Sequence, residues 1–367
     1  MAVKTLPSRA DHVGSFLRPK SLFDAREQWR AGNLAPDALK KMEDDAIRDV
    51  VAMQEQAGLK AVTDGEFRRD YWHLDYLGGI TGVEISTETY GMAFNSGISV
   101  GTPFVSGKVG PYKGAMNDHF KFLKSVAKQT AKFCIPAPGM TYMRGGRKGI
   151  DEKTYPDLDT FWADLIASYQ GEVKTLEGMG CTYLQFDDTS FAYLCDANFR
   201  DQVKARGDNA DKMVEQFAKA TSGAIAKRSD KLLVTTHMCR GNFKSTWMMQ
   251  GGYEPVAEIM FANLNVDAYF MEFDTDRAGG FEPLRFFPKD KTLVLGLITT
   301  KFGELEGKDF IKRRLDEATK YVPMERLALS PQCGFASTHH GNEITEADQR
   351  RKLDLVVELA DEVWGGA

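Results

Sequence analysis

The sequence predicts an α/β protein built as a single (β/α)8 (TIM) barrel. Eight short apolar segments are typical of buried strands, and most of them are followed by a helical segment. This alternation indicates a parallel sheet with helices outside it, and eight strands are the number that closes a barrel. The 367 residues, 43% hydrophobic and 27% charged, supply enough apolar material for one such domain over residues 1–367.

Each expected strand is a short apolar run that ends in a polar residue or a turn. The strands are expected at residues 11–16, 59–64, 131–135, 181–188, 232–239, 267–272, 291–298 and 326–333. The helices are expected at residues 22–31, 36–58, 118–129, 158–178, 199–226, 254–262, 308–321 and 345–364. Pro36 and Gly58 are typical of the two ends of a helix, and Thr345-Glu-Ala-Asp is a capping-box pattern.

Residues 71 to about 112 interrupt this alternation. Two glycine-rich segments there, 83–90 and 98–105, alternate between apolar and polar residues, which predicts an antiparallel hairpin after the second strand. The segment is short and has no linker composition on either side. We therefore expect an insertion on the barrel and not a second domain.

Composition and charge exclude several classes of protein. A net charge of −5 gives no reason to expect a nucleic acid or an anionic membrane as partner. The first residues lack the apolar core of a signal peptide, and no apolar run approaches the length of a membrane span. Five scattered cysteines do not suggest a disulfide framework. We expect a cytoplasmic protein, and whether it forms a homo-oligomer is left open.

Potential metal ligands stand at the ends of three expected strands. His237 and Cys239 are two positions apart, so an extended chain points both side chains to one face. Thiolate and imidazole are common zinc ligands, and Cys333 ends the last strand. A lone His-x-Cys is more often a buried cysteine beside a hydrogen-bonded histidine. Its recurrence with Cys333, and with the carboxylate of Glu272, favours a Zn²⁺ site.

Four further polar residues stand at or just beyond strand ends: Ser15, Glu66, Asp187 and Lys301. Each has a structural alternative, because Glu66 could pair with a neighbouring arginine and Asp187 could cap a helix. Lys301 could be a solvated loop lysine. Active sites of this fold lie where the carboxyl ends of the strands meet, so we expect these side chains to share one site.

The expected ligands favour a particular chemistry. Two thiolates already donate charge to Zn²⁺, which makes the metal a poor Lewis acid for splitting water. Such a metal is well suited to bind another thiol as its thiolate and to keep that sulfur nucleophilic. We therefore expect alkyl transfer onto sulfur and not hydrolysis, with Glu272 as the ligand that leaves when the substrate thiol arrives.

These residues give the chain a resemblance to the C-terminal catalytic barrel of the cobalamin-independent methionine synthase family, within the uroporphyrinogen decarboxylase-like superfamily. The shared motifs are Gly14-Ser15-Phe16, Asp64-Gly65-Glu66, Gln185-Phe186-Asp187, His237-x-Cys239, Glu272 and Cys333-Gly334. The resemblance implies that His237, Cys239, Glu272 and Cys333 hold zinc. It also implies that Ser15, Glu66 and Asp187 hold the amino-acid end of homocysteine, whose ammonium group suits two carboxylates. The implied reaction is methyl transfer to homocysteine in methionine biosynthesis.

The sequence also departs from the long synthases, which have an additional N-terminal barrel that helps to bind folate. Here the first strand is expected at residue 11, and Lys301 stands where the long synthases place a histidine. Thr189 replaces a proline that usually follows the Asp187 motif. These differences resemble the single-barrel branch of the family and leave the methyl or alkyl donor open: folate, a methylcobalamin protein, an epoxide or another compound.

Two other hypotheses remain open. One is an epoxide-opening enzyme of the epoxyalkane:coenzyme M transferase type, although a sulfonate thiol would be repelled by Glu66 and Asp187. The other is a catalytically silent zinc-binding barrel. In the leading hypothesis we predict that Lys301 lies within reach of the substrate as a catalytic cation for an anionic group or a leaving group.

Overall fold

The computed structural model of the chain describes residues 3–88 and 100–366. Its strands are β1 (Ala61–Val62), β2 (Val83–Ser86), β3 (Thr102–Val105), β4 (Thr130–Pro136), β5 (Tyr183–Asp187), β6 (Leu233–Met238), β7 (Ala268–Glu272), β8 (Thr292–Ile298) and β9 (Leu327–Pro331). All except β2 and β3 form one parallel sheet in the order β1-β4-β5-β6-β7-β8-β9. The fold is therefore α/β, with a seven-stranded parallel sheet as its core.

The helices that connect and cover these strands follow most of the predicted ranges. They are α1 (Lys20–Arg30), α2 (Pro36–Gln56), α3 (Leu74–Leu77), α4 (Met116–Val126), α5 (Leu158–Gly178), α6 (Ser190–Tyr193), α7 (Ala197–Ala205), α8 (Ala210–Ala224), α9 (Glu254–Asn263), α10 (Lys308–Ala318) and α11 (Glu346–Trp364). None of the helices in the described ranges has the length and apolar character needed to cross a membrane.

The sheet curls, so that a single segment bonds to both of its edges. Ala10 forms a parallel bridge with Leu329 of β9, and Ser15 forms one with Gly65, just beyond β1. The first predicted strand, residues 11–16, is thus present as two isolated bridges instead of a continuous strand. Gly14 between them has φ +136°, which interrupts the extended conformation. This curled arrangement is consistent with a TIM-like barrel.

A small antiparallel sheet lies between β1 and β4 in the chain. β2 and β3 pair from Val83 with Val105 to Ser86 with Thr102. The predicted hairpin reached further, to residue 90 on one side and from residue 98 on the other. Residues 89–99 lie outside the described part of the chain, so the connection between the two strands is not described.

The helix predicted at residues 199–226 is in fact two helices, α7 and α8. Gly207, between them, has φ +93°, a conformation that ends a helix and that other residues rarely adopt. Asn209 then begins α8, because its side chain accepts a hydrogen bond from the Lys212 amide at 2.9 Å. The helical periodicity continues through this break, which is why the pattern alone predicted one helix.

Buried hydrogen bonds and an ion pair connect the N-terminal segment to the sheet. The Lys132 ammonium on β4 is 3.0 Å from Asp11 Oδ1 and donates to the His12 carbonyl at 2.5 Å. The Tyr183 hydroxyl on β5 donates to Asp11 Oδ2 at 2.7 Å. These groups are almost fully buried, so each charge depends on its partner.

The register of the strands brings the carboxyl ends together. Asp187, the last residue of β5, pairs with His237 on β6, and Glu272, the last residue of β7, pairs with Gly296 on β8. Because the strands are parallel, the residues that follow them lie on the same side of the sheet.

Candidate active site

Three predicted metal ligands come together at this edge of the sheet. Candidate ligand atoms of His237, Cys239 and Cys333 all lie within 4.8 Å of one another, and the two sulfurs are 3.4 Å apart. We call these three residues the thiol cluster. All are buried, and neither ring nitrogen of His237 has a hydrogen-bond partner among the described residues. A buried imidazole without a partner beside two thiols suits a soft metal ion such as zinc.

The pKa values of the two thiols of the cluster are shifted in opposite directions. The hydrogen bond between them, together with the nearby charges of His237 and Lys301, holds the pKa of Cys333 well below its usual range despite burial. The same hydrogen bond and burial raise the pKa of Cys239 well above it. A cation bound beside the two sulfurs would favour the loss of a proton from each thiol.

Glu272, the fourth predicted ligand, has other partners. Its Oε2 accepts a hydrogen bond from the Arg240 amide at 2.7 Å, and its Oε1 lies 2.5 Å from the Arg277 guanidinium. Burial disfavours its charge, but the cations of Lys301, Arg240 and Arg277 outweigh burial and lower its pKa to about 2. Among the described residues Glu272 is not part of the thiol cluster. Its role as a ligand stays a prediction.

Lys301 is buried beside Glu272. Its ammonium is 3.9 Å from Glu272 Oε1 and 3.7 Å from Asp274 Oδ2. It is not among the described residues that line the pocket next to the thiol cluster. Lys301 is therefore not a solvated loop lysine, and its catalytic role stays a prediction.

The three predicted substrate-binding residues line one pocket together with the thiol cluster. This pocket has about 570 Å³ of empty space, counting its open mouth. Glu66 Oε1 is 3.3 Å from the Arg69 guanidinium, and Asp187 accepts a hydrogen bond from Gln185 at 2.7 Å. Ser15 lies against Gly334, where an added Cβ would be only 1.9 Å from the serine Oγ. Only glycine leaves room for that hydroxyl.

Burial changes the acidity of the two carboxyl groups. It raises the pKa of Glu66 to about 8, with Arg69 opposing and Asp187 adding to the shift. It raises the pKa of Asp187 to about 6, with His237 opposing the shift. Glu66 also has φ +61°, which is uncommon for a residue other than glycine. An ammonium group beside the two buried carboxyls would favour their ionised forms.

A family comparison decides what kind of domain carries this pocket. Residues 9–361 match the model described as "Cobalamin-independent synthase, Catalytic domain". The chain belongs to this family.

Individual proteins that resemble the chain agree with the match to the cobalamin-independent synthase family. The chain is 44% identical to uncharacterized protein YxjG of Bacillus subtilis, over 98% of this chain and 96% of that protein. It superimposes on the putative vitamin-B12 independent methionine synthase of Listeria monocytogenes with a TM-score of 0.79 and 35% identity, covering 99% of both chains. It has the fold of a B12-independent methionine synthase from Shewanella sp. W3-18-1 in complex with selenomethionine, with a TM-score of 0.69, 21% identity and 98% coverage of both chains.

Sequence reasoning missed several charged residues of this synthase domain. Asp274 stands two positions after Glu272, the same spacing that indicated His237 and Cys239, so the rule that found the thiol cluster could have found it. Arg240 and Arg277 follow these strands in loops and carry no comparable pattern. Arg144, in the pocket wall, follows β4 by eight residues and had no signal in the sequence.

Proposed function

We propose that this synthase domain is a zinc-dependent methyltransferase that methylates homocysteine to give methionine. The observation that carries the proposal is the presence of a buried thiol cluster and a buried carboxylate pair in one pocket. The first suits a metal that binds sulfur, and the second suits the ammonium group of an amino acid. Homocysteine carries both a thiol and an ammonium group.

The residues that would hold zinc are His237, Cys239 and Cys333, with Glu272 as the fourth ligand predicted from sequence. The fit rests on the ring nitrogens of His237, which lack hydrogen-bond partners among the described residues, and on the two sulfurs 3.4 Å apart beside them. When bound, zinc supplies the charge that lets a substrate thiol bind as thiolate at neutral pH.

The residues that would hold homocysteine are Glu66, Asp187 and Ser15. Both carboxyl groups are buried, so an ammonium group between them would restore their charged forms and replace lost solvation. The Ser15 hydroxyl, beside the glycine at position 334, would donate to the substrate carboxylate. This division of roles orients the thiol of the amino acid toward the thiol cluster.

A closed barrel with an inserted hairpin is part of the same proposal. We infer that residues 10–15 are the eighth member of a closed (β/α)8 barrel, because they bridge both edges of the sheet. The chain would then be one domain over residues 1–367, with β2 and β3 in a hairpin inserted at about residues 71–112 after the second barrel strand. The Shewanella protein, described in complex with selenomethionine, supports an amino-acid site in this fold.

Metal content tests the first half of the proposal. Purified protein should hold about one zinc ion per chain, and Cys239→Ser or Cys333→Ser should lose most of it because each removes a thiolate ligand. Elemental analysis measures the metal. Cys181→Ser, a change at a buried cysteine outside the thiol cluster, is the matched control and should keep its zinc. Wild-type protein without tightly bound metal would contradict the proposal.

Thiol binding tests the second half. In cobalt-substituted protein, homocysteine should shift the sulfur-to-metal absorption bands and release a proton as its thiol ionises. A shift with coenzyme M but none with homocysteine would favour an epoxide-opening enzyme. No shift with either thiol would favour a silent metal-binding barrel.

A further inference from the structure

A buried arginine in the wall of the pocket has no acidic partner. Arg144 is 5% exposed and lines the pocket together with the thiol cluster. Among the described residues no carboxylate lies within ion-pair distance of its guanidinium, and its Nε has no hydrogen-bond partner. Burial lowers the pKa of Arg144, and the partner that offsets this effect is Tyr193. Neutral tyrosine does not balance a guanidinium charge.

A second group without partners lies beside this arginine. His73 is 2% exposed, also lines the pocket, and neither of its ring nitrogens has a hydrogen-bond partner among the described residues. Burial, reinforced by the charge of Arg144, holds the pKa of His73 well below its usual range. A neutral imidazole keeps one N–H donor. Among the described residues, the Arg144 Nε and both ring nitrogens of His73 therefore lack hydrogen-bond partners, and the Arg144 charge lacks an acidic one.

Leaving such groups unsatisfied is costly. A buried polar group without a partner destabilises the folded protein, and a buried unpaired charge does so more strongly. The two carboxylates of the pocket do not offset this cost, because the arginine that pairs with Glu66 is Arg69. The pocket thus has two carboxyl groups, at Glu66 and Asp187, and a separate cation at Arg144.

We propose that Arg144, with His73 beside it, binds an anionic oxygen group, such as a carboxylate or a phosphate, on the alkyl donor. Arginine binds such groups through two parallel hydrogen bonds, and a ligand anion would supply the missing counter-charge. The assignment to the donor rests on the proposed function, in which the amino-acid end of homocysteine occupies Ser15, Glu66 and Asp187. Tyr71 and Trp72 in the same wall add an aromatic surface for the body of the donor.

Homocysteine, the methyl acceptor, also carries a carboxylate that Arg144 could bind. Two binding measurements are therefore needed to distinguish the donor from the acceptor. In the first, calorimetry follows inorganic sulfate binding to the metal-loaded protein. Wild type should bind sulfate, and Arg144→Gln should weaken binding about tenfold or more because it removes the charge and the paired donors. Arg144→Lys should retain part of the affinity and shows that the site still folds. Arg147→Gln is the control, because Arg147 lies in the same loop but donates to the Tyr155 carbonyl outside the pocket.

In the second measurement, homocysteine is titrated into the cobalt-substituted forms of wild type and Arg144→Gln. An unchanged homocysteine midpoint together with lost sulfate binding supports the donor site. A homocysteine midpoint that rises in parallel with the loss of sulfate would assign Arg144 to the acceptor and overturn the proposal. Equal sulfate binding by wild type and Arg144→Gln, or none by wild type, would also overturn it. If homocysteine changes no band even in wild type, the proposed function fails and the donor assignment falls with it, while sulfate alone decides whether the anion site exists.

Discussion

At the scale of single residues, buried cationic side chains lie around Glu272 and not around the thiol cluster. Glu272 is held by the Arg240 amide and by the side chain of Arg277, with Lys301 nearby. A carboxylate in such surroundings is ionised, as a metal ligand must be, but it would have to give up cationic partners to coordinate zinc. The expected departure of Glu272 when a thiol binds thus has a physical basis, because the cations that would receive it are already in place.

Lys301 is the charged residue of this group whose role is most open to test. We expect Lys301→Ala to reduce turnover about tenfold or more, because it removes a fixed cation near the site, and to leave zinc content unchanged because lysine is not a ligand. Steady-state rates and elemental analysis measure the two effects. Lys308→Ala, at a surface lysine paired with Glu362, serves as control. Wild-type turnover in Lys301→Ala would restrict Lys301 to neutralising Glu272 and Asp274.

The raised pKa of Glu66 predicts a pH dependence of stability. Between about pH 4.5 and 8 the folded protein keeps the proton on Glu66, whereas the unfolded chain releases it. Unfolding then releases a proton, so the contribution of Glu66 to the free energy of unfolding falls as pH rises. Glu66→Gln, which is neutral at every pH, should lose less stability than wild type from about pH 5 to about pH 8. Urea unfolding of both proteins at each pH measures the difference between their free energies of unfolding. Because both proteins have the same predicted metal ligands, the titration of those ligands cancels in this difference.

Parallel pH profiles for wild type and Glu66→Gln would show that Glu66 is ionised in the folded protein. Glu258→Gln, at an exposed position on α9, is the control and should follow the wild-type profile.

The site could be predicted from sequence where strand geometry fixes the spacing of side chains. His237 and Cys239 share a face because they are two positions apart, and Cys333 follows a strand that ends at the same edge. The partners of Glu272 and the position of Arg144 depend on loops that fold back over the sheet, and loop conformation is not encoded by a repeating pattern. Sequence therefore indicated the thiol cluster better than the charged groups near it.

At the scale of elements, the predictions succeeded where an end signal accompanied the periodicity. The N-terminus of α11 has the predicted capping box: Thr345 Oγ1 accepts from the Asp348 amide at 3.1 Å, and Asp348 Oδ2 accepts from the Thr345 amide at 3.0 Å. The helical region predicted over residues 199–226 is divided in two, because Gly207 ends one helix and Asn209 begins the next within a continuous apolar pattern. Helix ends depend on local side-chain hydrogen bonds, which periodicity does not report.

The capping box of α11 can be tested by removing its hydroxyl. Thr345→Ala should lower the free energy of unfolding by about 1 kcal/mol, because the Asp348 amide then loses its acceptor. Thr345→Ser keeps the hydroxyl and should remain close to wild type. Chemical denaturation of the three proteins measures the effect. Equal losses in both variants would show that the methyl group, and not the hydrogen bond, matters at this position.

At the scale of the whole molecule, the N-terminal segment bridges both edges of the curled sheet. The order of the strands could be predicted because each crossover is right-handed and local in parallel α/β folds. The form of the closing segment could not, because its pairing is limited to two bridges around Gly14 and is completed by the buried side chains of Asp11 and Lys132. Such a network depends on residues that are distant in sequence.

The buried pair predicts a large and partly reversible loss of stability. Asp11→Asn should lower the free energy of unfolding by about 3 kcal/mol, because Lys132 is left as an unpaired buried charge. Adding Lys132→Met to Asp11→Asn should recover part of that loss, since no unpaired charge then remains. A double variant as unstable as the sum of the two single variants would show that the ion pair does not couple these positions.

The bond between Arg9 and β9 also sets an order of events during synthesis of the chain. The Arg9 guanidinium donates to the Leu327 carbonyl, 318 positions later. On the ribosome, the N-terminal segment therefore lacks its partner strand β9 until nearly the whole chain has emerged, and the side of the segment that pairs with β9 remains an open edge for that time. We expect nascent chains that end before residue 327 to be cleaved readily by a protease. Chains long enough for β9 to have emerged from the ribosome should resist cleavage. The cell must keep the incomplete sheet from pairing with its neighbours until the last strand arrives.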